Sequence, residues 1–154
     1  MRGLKIIIVG KIRTGFHSEA FNFYLKKIKK YTSVELLVAR DVKDESIRLR
    51  LEKEAELILE RISARDLVIV LDEKGKSFNS RDFSSWLGKW QEDPGRIPCF
   101  IIGGAYGLSD KIKSRADLLM GLGPITLPHE LAGVILMEQI YRGYTILKGH
   151  PYHH

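Results

Sequence analysis

A glycine-rich segment offers the first candidate binding site in this sequence. After the apolar run Cys99–Ile102, the chain reads Gly103-Gly104-Ala105-Tyr106-Gly107-Leu108-Ser109. Three glycines within five positions allow positive φ angles and let a ligand approach bare backbone closely. Ser109 stands where its hydroxyl can cap a following helix. The pattern favours a ligand-binding turn, although a tight turn without any ligand uses the same residue types.

A proline-stiffened segment follows at residues 121–129. Pro124 and Pro128 bracket Ile125, Thr126 and Leu127, which predicts an ordered loop whose backbone groups are free for hydrogen bonding. Such a loop can grip an adenine by its edge while apolar side chains cover the faces of the ring. His129 ends the segment and, taken alone, is typical of a capping or hydrogen-bonded structural histidine.

Histidines also gather at the end of the sequence, which reads Gly149-His150-Pro151-Tyr152-His153-His154. Proline and tyrosine interrupt the run, which argues against an affinity tag. A metal site is the other reading, but the sequence offers no cysteine or carboxylate cluster to complete one.

The segment Gly10–His17 has the glycine spacing of a phosphate-binding loop. Phe16 and His17 stand where such a loop needs lysine followed by serine or threonine, and no Gly-x-Gly-x-x-Gly motif is present in the sequence. A Walker-type nucleotide triphosphatase and an ordinary dinucleotide enzyme are therefore both disfavoured.

Short apolar runs alternate with longer amphipathic stretches along the chain. This alternation predicts the strands and helices that position the candidate segments described above. We predict strands at 4–9, 34–39, 67–71, 99–102 and 118–122, and helices at 18–30, 43–62, 80–91, 109–115 and 130–148. This alternation predicts one α/β domain over residues 1–154, with a three-layer, mostly parallel sheet. Because ligands bind beyond the carboxyl ends of strands in such sheets, the candidate segments are expected to meet there.

Two features of the helices lead to specific expectations. One buried stripe is expected on the second helix, formed by Ile47, Leu51, Ala55, Ile58 and Ile62. Asn79 or Ser80 is expected to cap the third helix.

The last predicted helix is apolar around nearly its whole circumference. A helix of this kind needs two burial partners, so a second subunit is expected to cover the flank that the sheet leaves open. A helix wedged into a larger monomeric core is the alternative. Glu138 and Arg142 are four residues apart and can pair on this helix without being catalytic.

Composition and charge narrow the class of protein. With 154 residues, 44% of them hydrophobic, and the single cysteine Cys99, the chain suits neither a disordered segment nor a disulfide scaffold. The apolar run Ile6–Val9 is too short for a signal peptide or a membrane span, so we expect a cytoplasmic protein with no membrane partner. A net charge of +6 favours a polyanion such as RNA or DNA, but many basic enzymes bind no nucleic acid.

Five motifs together resemble the SPOUT-class methyltransferases that modify N(3) of pseudouridine in large-subunit ribosomal RNA. They occur in the order and spacing of that family, and the resemblance covers essentially the whole chain; the motifs are Leu71–Lys76, Phe100–Gly107, Leu127–His129, Glu138–Arg142 and Pro151–His153.

The resemblance implies properties that the composition does not. It implies a carboxyl-terminal trefoil knot, a homodimer, and S-adenosyl-L-methionine bound in the knot. Cofactor contacts carry over to Leu71, Gly103, Gly104, Gly123, Pro124, Ile125, Thr126, Leu127 and Pro128. His129, Tyr152 and His153 are the implied catalytic residues, with the tail reaching the site across the dimer interface.

One position departs from the family pattern. Gly133 occupies the place where the family usually carries arginine, four residues after His129, so another basic residue such as Arg142 supplies that contact or RNA binding is altered. For catalysis, His153 of the tail is expected, ahead of His129, to take the proton from the target nitrogen, because His129 adjoins the cofactor loop and has a structural alternative. Tyr152 is expected to orient or stack on the uracil ring. The reaction requires no metal.

Three rival functions stay open at this point. The chain could methylate transfer RNA or a different ribosomal base, or it could be a non-catalytic RNA-binding module of the same fold. A flavodoxin-like nucleotide-binding protein is disfavoured by the missing phosphate motifs.

Overall fold

Strands and helices alternate along the chain in the computed structural model, which describes residues 3–154. Met1 and Arg2, part of the amino-terminal segment considered above, lie outside the described residues. The elements are β1 (Leu4–Val9), α1 (Gly15–Ile28), β2 (Val34–Ala39), α2 (Ile47–Leu59), β3 (Asp66–Ser77), α3 (Ser80–Glu92), β4 (Ile97–Ile102), α4 (Asp110–Arg115), β5 (Leu118–Gly121) and α5 (His129–Leu147).

The five strands form a single parallel sheet in the order β2-β1-β4-β3-β5. α1, α3 and α5 cover one face, where the core includes Phe21, Phe83, Phe100 and Met137. α2 and α4 cover the other face over a second apolar cluster. The predicted α/β class and three-layer parallel sheet are confirmed.

β3 is longer than predicted and is interrupted. Its pairing with β5 jumps from Leu71 to Lys76 on one strand while both residues face Met120 on the other, so residues 72–75 form an excursion out of the ladder. At Gly75, an added Cβ would lie 2.6 Å from the backbone of Leu119 and Met120. In the sequence, the polar residues of the excursion are typical of a turn. The strand resumes after them because it pairs with β5 again at Lys76.

The second helix differs most from its prediction. α2 begins at Ile47 rather than 43, because Ser46 accepts a hydrogen bond from the backbone N–H of Leu49 and caps the helix there. Ala55 and Ile58 are buried as expected, but Ile47 is 49% exposed. The predicted stripe is wrong at both ends, since no residue of the first turn is buried and Ile62 lies beyond the last helical residue, Leu59.

The two predicted caps have different outcomes. Asn79 caps α3 by accepting from the backbone N–H of Asp82 at 2.8 Å, whereas the Ser80 hydroxyl donates to Gln139 Oε1 on α5 at 2.7 Å. Ser109 occupies the N-cap position of α4 without forming a side-chain cap, and its hydroxyl is buried without a hydrogen-bond partner among residues 3–154.

No helix within the described part of the chain is both long enough and apolar enough to cross a membrane.

Candidate functional site

A cavity of about 830 Å³ opens at the carboxyl ends of the strands, where three chain segments meet. The segments are the end of β3 with its excursion, the glycine-rich loop after β4, and the proline-stiffened loop after β5. Its size lies within the range of small-molecule sites. The wall is formed by Leu71, Asp72, Glu73, Ile102, Gly103, Gly104, Ala105, Tyr106, Gly107, Leu108, Lys113, Met120, Leu122, Ile125, Thr126, Leu127, Pro128, His129 and Ala132.

The glycine-rich loop supplies bare backbone to this wall. Gly107 has a φ of 78° and donates its N–H to the carbonyl of Gly104 at 3.0 Å, which closes the turn. Gly103 has no positive φ, but a Cβ there would lie 2.8 Å from the carbonyl oxygen of Gly107. The turn therefore needs glycine at 107 for its conformation and at 103 for close approach.

The proline-stiffened loop forms the opposite wall. Ile125 is 61% exposed at the rim, and the Thr126 hydroxyl donates to Glu73 Oε2 at 2.8 Å, which joins the loop to the β3 excursion. Gly123, with a φ of 113°, and Pro124 lie in the loop but not on the described wall. The sequence-predicted binding residues thus divide into those lining the cavity and these two, which shape the loop behind it.

Acidic side chains at the end of β3 give the cavity its electrostatic character. Asp72 is nearly buried and lies 3.0 Å from Lys113 Nζ of α4. A hydrogen bond from the backbone N–H of Lys74, and then the contact with Lys113, lower the pKa of Asp72 below its ordinary value, so this carboxylate is ionised at neutral pH. Asp72 and Glu73 were not predicted as site residues, although their position directly after Leu71, at the end of a buried strand, was a usable indication.

The start of α5 joins the cavity to the loop after β1. His129 lies on the cavity wall, and the next residue, Glu130, accepts hydrogen bonds from the backbone N–H groups of Arg13 and Thr14. Glu130 Oε2 also lies 3.2 Å from His17 Nδ1. The side chain of Thr14, followed by the backbone N–H of Arg13, lowers the pKa of Glu130 to about 2, and His17 contributes less.

Gly133 faces inward from the same helix. A Cβ there would lie 3.7 to 3.8 Å from side-chain atoms of Phe21, Ile102 and Ile12, so the position points towards α1 and the loop after β1. Arg142 is nine residues further on, which at 100° per residue is the opposite side of the helix. The sequence-based suggestion that Arg142 replaces an arginine at 133 is not supported by this geometry within one chain.

The carboxyl-terminal tail packs on the far part of α5. The Tyr152 hydroxyl donates to Glu138 Oε1 at 3.1 Å, and the Arg142 guanidinium lies over the Tyr152 ring at 4.8 Å. Arg142 also pairs with Glu138 at 2.6 Å, which confirms the predicted ion pair. Arg142 is thirteen residues along the helix from His129, or about 20 Å, so this tail lies away from the cavity of its own chain.

The contact of His153 defines which of its nitrogens carries a proton. Arg142 Nη1 lies 3.2 Å from His153 Nδ1. Because a guanidinium only donates hydrogen bonds, Nδ1 must accept, and a neutral ring then carries its proton on Nε2. In this arrangement His153 presents a donor, while burial raises the pKa of the neighbouring Tyr152 phenol and keeps it protonated.

The arrangement suits a ligand with a flat ring and a polar or cationic end. Leu122 and Leu127 offer apolar cover, the glycine turn offers backbone groups, and Asp72 and Glu73 supply negative charge. Among the described residues there is no group of three or more histidine, cysteine, aspartate or glutamate side chains able to hold a metal ion.

Comparison with known proteins finds relatives that match the whole length of the chain. A protein named Ribosomal RNA large subunit methyltransferase H from Solidesulfovibrio magneticus is 46% identical over 154 residues, covering all of both chains. A protein of the same name from Maridesulfovibrio salexigens is 39% identical over 155 residues, covering all of this chain and 99% of the relative.

A solved structure supports the fold alone. The probable methyltransferase from Bordetella pertussis Tohama I superimposes with a TM-score of 0.56 at 13% identity, covering 92% of this chain and 93% of the other. The model of the family described as "Predicted SPOUT methyltransferase" matches residues 2–153. The chain belongs to the SPOUT methyltransferase family.

Proposed function

We propose that this protein transfers a methyl group from S-adenosyl-L-methionine to N(3) of a pseudouridine in large-subunit ribosomal RNA, acting on the assembled ribosome in the cytoplasm. The observation that carries the proposal is the cavity between the glycine turn and the proline-stiffened loop, with His129 on its wall. Full-length relatives named for methylation of large-subunit ribosomal RNA support the substrate class.

The cavity residues fit the methyl donor. S-adenosyl-L-methionine, the donor of SPOUT methyltransferases, supplies a methyl group activated by a positively charged sulfur. We assign its binding to Leu71, Gly103, Gly104 and residues 125–128, with Gly123 and Pro124 holding the loop in shape. The ionised Asp72, on the same wall as Glu73, favours a cationic ligand over a neutral one.

Proton removal is the chain's main chemical task, because an imide nitrogen is a poor nucleophile until it is deprotonated. We assign the acceptor role to His129, which lies on the cavity wall. His153, with its Nδ1 facing Arg142, donates from Nε2 to a uracil oxygen and stabilises the anion as the proton leaves. Tyr152, held protonated, orients the ring rather than accepting its proton.

The tail acts in the cavity of a second copy. One outward stripe of α5 carries Leu131, Ile135, Glu138, Arg142 and Ile146, all half-buried and spaced three or four residues apart. We propose that two such stripes pack together in a homodimer, which brings His153 of one subunit to His129 of the other. The distance of about 20 Å along α5 within one chain supports this arrangement over a site completed by a single chain.

We also propose that the carboxyl-terminal part of the chain is knotted. The β3 excursion at residues 72–75 makes a loop beside β5, and the absence of a side chain at Gly75 allows the backbone of Leu119 and Met120 to approach it closely. This contact supports threading of β5 and the following loop past the excursion.

Two measurements separate this proposal from its rivals. Calorimetric titration with S-adenosyl-L-methionine is expected to show one site per chain, and an absence of binding would instead favour a non-catalytic module or a flavodoxin-like protein. Tritiated methyl transfer is then compared on unmethylated large subunits, naked ribosomal RNA and transfer RNA. Transfer to transfer RNA alone would replace the proposed substrate with the first rival.

A further inference from the structure

We propose that the outward side of α1 and the loop before it form a docking surface for ribosomal RNA. This basic aromatic face consists of Lys11 and Arg13 in the loop and Phe16, Phe23 and Lys27 on the helix. The proposal rests on the proposed function, and it adds a substrate-binding surface outside the cavity.

The two phenylalanines lie on one side of the helix. Phe16 and Phe23 are seven residues apart, which is two helical turns, and Lys27 continues the same line after one further turn. Phe16 is 69% exposed and Phe23 is 54% exposed. The line runs about 16 Å from Phe16 to Lys27.

Packing within the chain does not explain why phenylalanine rings are exposed at positions 16 and 23. α1 places Phe21, Leu25 and Ile28 in the core, so the buried side of the helix is already complete. Phe16 contacts the His17 ring at 4.4 Å, and Phe23 contacts Tyr24 at 5.1 Å, both edge-on. The exposed parts of both rings are therefore available for stacking, with Lys27 over one face of Phe23.

The charge around the rings favours RNA as the occupant. Lys27 Nζ lies 5.4 Å from the centre of the Phe23 ring, and Lys11 and Arg13 are exposed at the other end of the face. An aromatic ring beside a cation matches an unpaired nucleotide, which offers a base to stack and a phosphate to neutralise. Lys26 and Lys30 add positive charge beside the face, while Glu19 is the acidic residue between the two rings.

The loop is fixed relative to the cavity. Glu130 holds the backbone of Arg13 and Thr14, and Ile12 lies against Gly133 of α5. Because Glu130 directly follows His129 on the cavity wall, the basic aromatic face begins beside the site where the target base would enter. Nucleotides adjoining the target are therefore the part of the substrate that this face contacts.

The test compares ring-deleting and ring-preserving variants in steady-state methyl transfer to unmethylated large subunits. F16L and F23L are each expected to raise KM for the subunits about tenfold while kcat and donor affinity stay unchanged. F16Y and F23Y keep a ring and are expected to retain the wild-type KM. Wild-type-like KM in both leucine variants would overturn the proposal.

The dependence of KM on salt concentration tests whether Lys11 and Lys27 contact phosphate. The double variant K11Q/K27Q is expected to reduce the slope of log KM against log salt by about 0.7 to 0.9 per lysine. K89Q/K111Q is the matched control, since Lys89 is likewise exposed beside an aromatic ring, at 5.8 Å from Trp86, but lies on α3. Equal slopes for the two double variants would contradict a phosphate contact at α1.

Removing the carboxylate of Glu19 is expected to change KM in the opposite direction. E19Q is expected to lower KM for the subunits several-fold, because it removes repulsion from phosphate. If the α1 variants instead shift the monomer–dimer equilibrium and leave KM unchanged, the face is a contact between protein copies and the proposal is wrong. Failure of the proposed function is distinguishable, since the wild-type protein itself would then transfer no methyl group.

Discussion

Glu130 shows how a single carboxylate organises the entrance to the site. It receives hydrogen bonds from the backbone of Arg13 and Thr14 and lies beside His17, although it belongs to a helix more than a hundred residues later in the chain. These contacts exist only in the folded state, so they favour the ionised carboxylate there and not in the unfolded chain.

The pKa of Glu130 predicts a specific pH dependence of stability. Its pKa falls from an ordinary value of 4.5 to about 2 on folding, so the ionised form stabilises the protein fully above about pH 5. We expect E130Q to lower the free energy of unfolding by about 1 kcal/mol at pH 7.

The difference between wild type and E130Q should shrink as the pH falls from 4.5 towards 2, because protonation removes the contribution from the wild type. Urea unfolding at several pH values measures it. A difference independent of pH in this range would show that the carboxylate charge does not act in this way.

His153 provides a second test at the scale of one residue. Because Arg142 occupies its Nδ1, we expect the ring to act as a hydrogen-bond donor through Nε2. H153A should lower the single-turnover rate at least tenfold with little change in donor affinity. H153Q carries an amide donor and should recover part of that rate.

The pH–rate profile identifies the proton acceptor. H153Q is expected to keep the wild-type inflection, which should disappear in H129A. A profile that loses its inflection in H153Q would instead make His153 the base, and unchanged rates in H153A would remove it from the mechanism.

Sequence patterns could predict some residues of the candidate cavity and not others. The glycines at 103 and 104 and the prolines of the loop up to Pro128 are recognisable in the sequence. Glycine and proline suit particular backbone conformations that most residues do not adopt or fix. Asp72 and Glu73 look like an ordinary polar turn, and Glu130 like a common acidic residue in a first helical turn. Their roles depend on contacts with Lys113, Thr126 and the loop after β1, which are distant in sequence.

Among the elements, the β3 excursion determines the shape of the cavity. The strand leaves the ladder after Leu71 and returns at Lys76, which places Asp72 and Glu73 on the cavity wall. β5 runs so close to the excursion that position 75 has no room for a side chain.

We therefore predict that G75A destabilises the protein. An added Cβ would lie 2.6 Å from backbone atoms of β5, which cannot move without disturbing the sheet, so a loss of about 2 kcal/mol or more is expected in denaturant unfolding. G15A is the control, since a Cβ there meets nothing within 4 Å, and it should change stability by less than about 1 kcal/mol. Equal stabilities of G75A and G15A would contradict the close approach.

Element positions followed well from the sequence because apolar periodicity is local. β1 and β2 have the predicted bounds, and the start of α3 was set by Asn79. The second part of β3 was missed because Lys76 and Ser77 are polar, and only the register with β5 makes them a strand. The early start predicted for α2 was wrong because Ser46, and not an earlier residue, supplies the cap.

At the scale of the whole molecule, the tail and the cavity of one chain are separated along α5. The outward stripe of that helix carries half-buried Leu131 and Ile135 on the side away from the sheet core. In the proposed homodimer, burial against a second copy would account for both the stripe and the position of the tail.

Disrupting the stripe should break the proposed homodimer. We expect I135D to shift the protein to a monomer in sedimentation velocity and to abolish methyl transfer while the fold is retained in circular dichroism. A charge at the centre of a symmetric contact is buried twice, which makes the substitution strongly unfavourable for association. A dimeric I135D would show that this stripe is not the interface.

Mixing two impaired variants tests the proposed shared site directly. H129A and H153A, unfolded and refolded together, should recover about one quarter of the wild-type activity, because half of the dimers are mixed and each mixed dimer has one complete site. No recovery above the separate variants would mean that both histidines act within one chain.

The identity of the methylated nucleoside tests the central claim most directly. Large ribosomal subunits lacking the modification are incubated with the wild-type protein and S-adenosyl-L-methionine, and the ribosomal RNA is digested and analysed by mass spectrometry. The account predicts N(3)-methylpseudouridine as the new product. Unmodified RNA, or a methyl group on any other nucleoside, would contradict it.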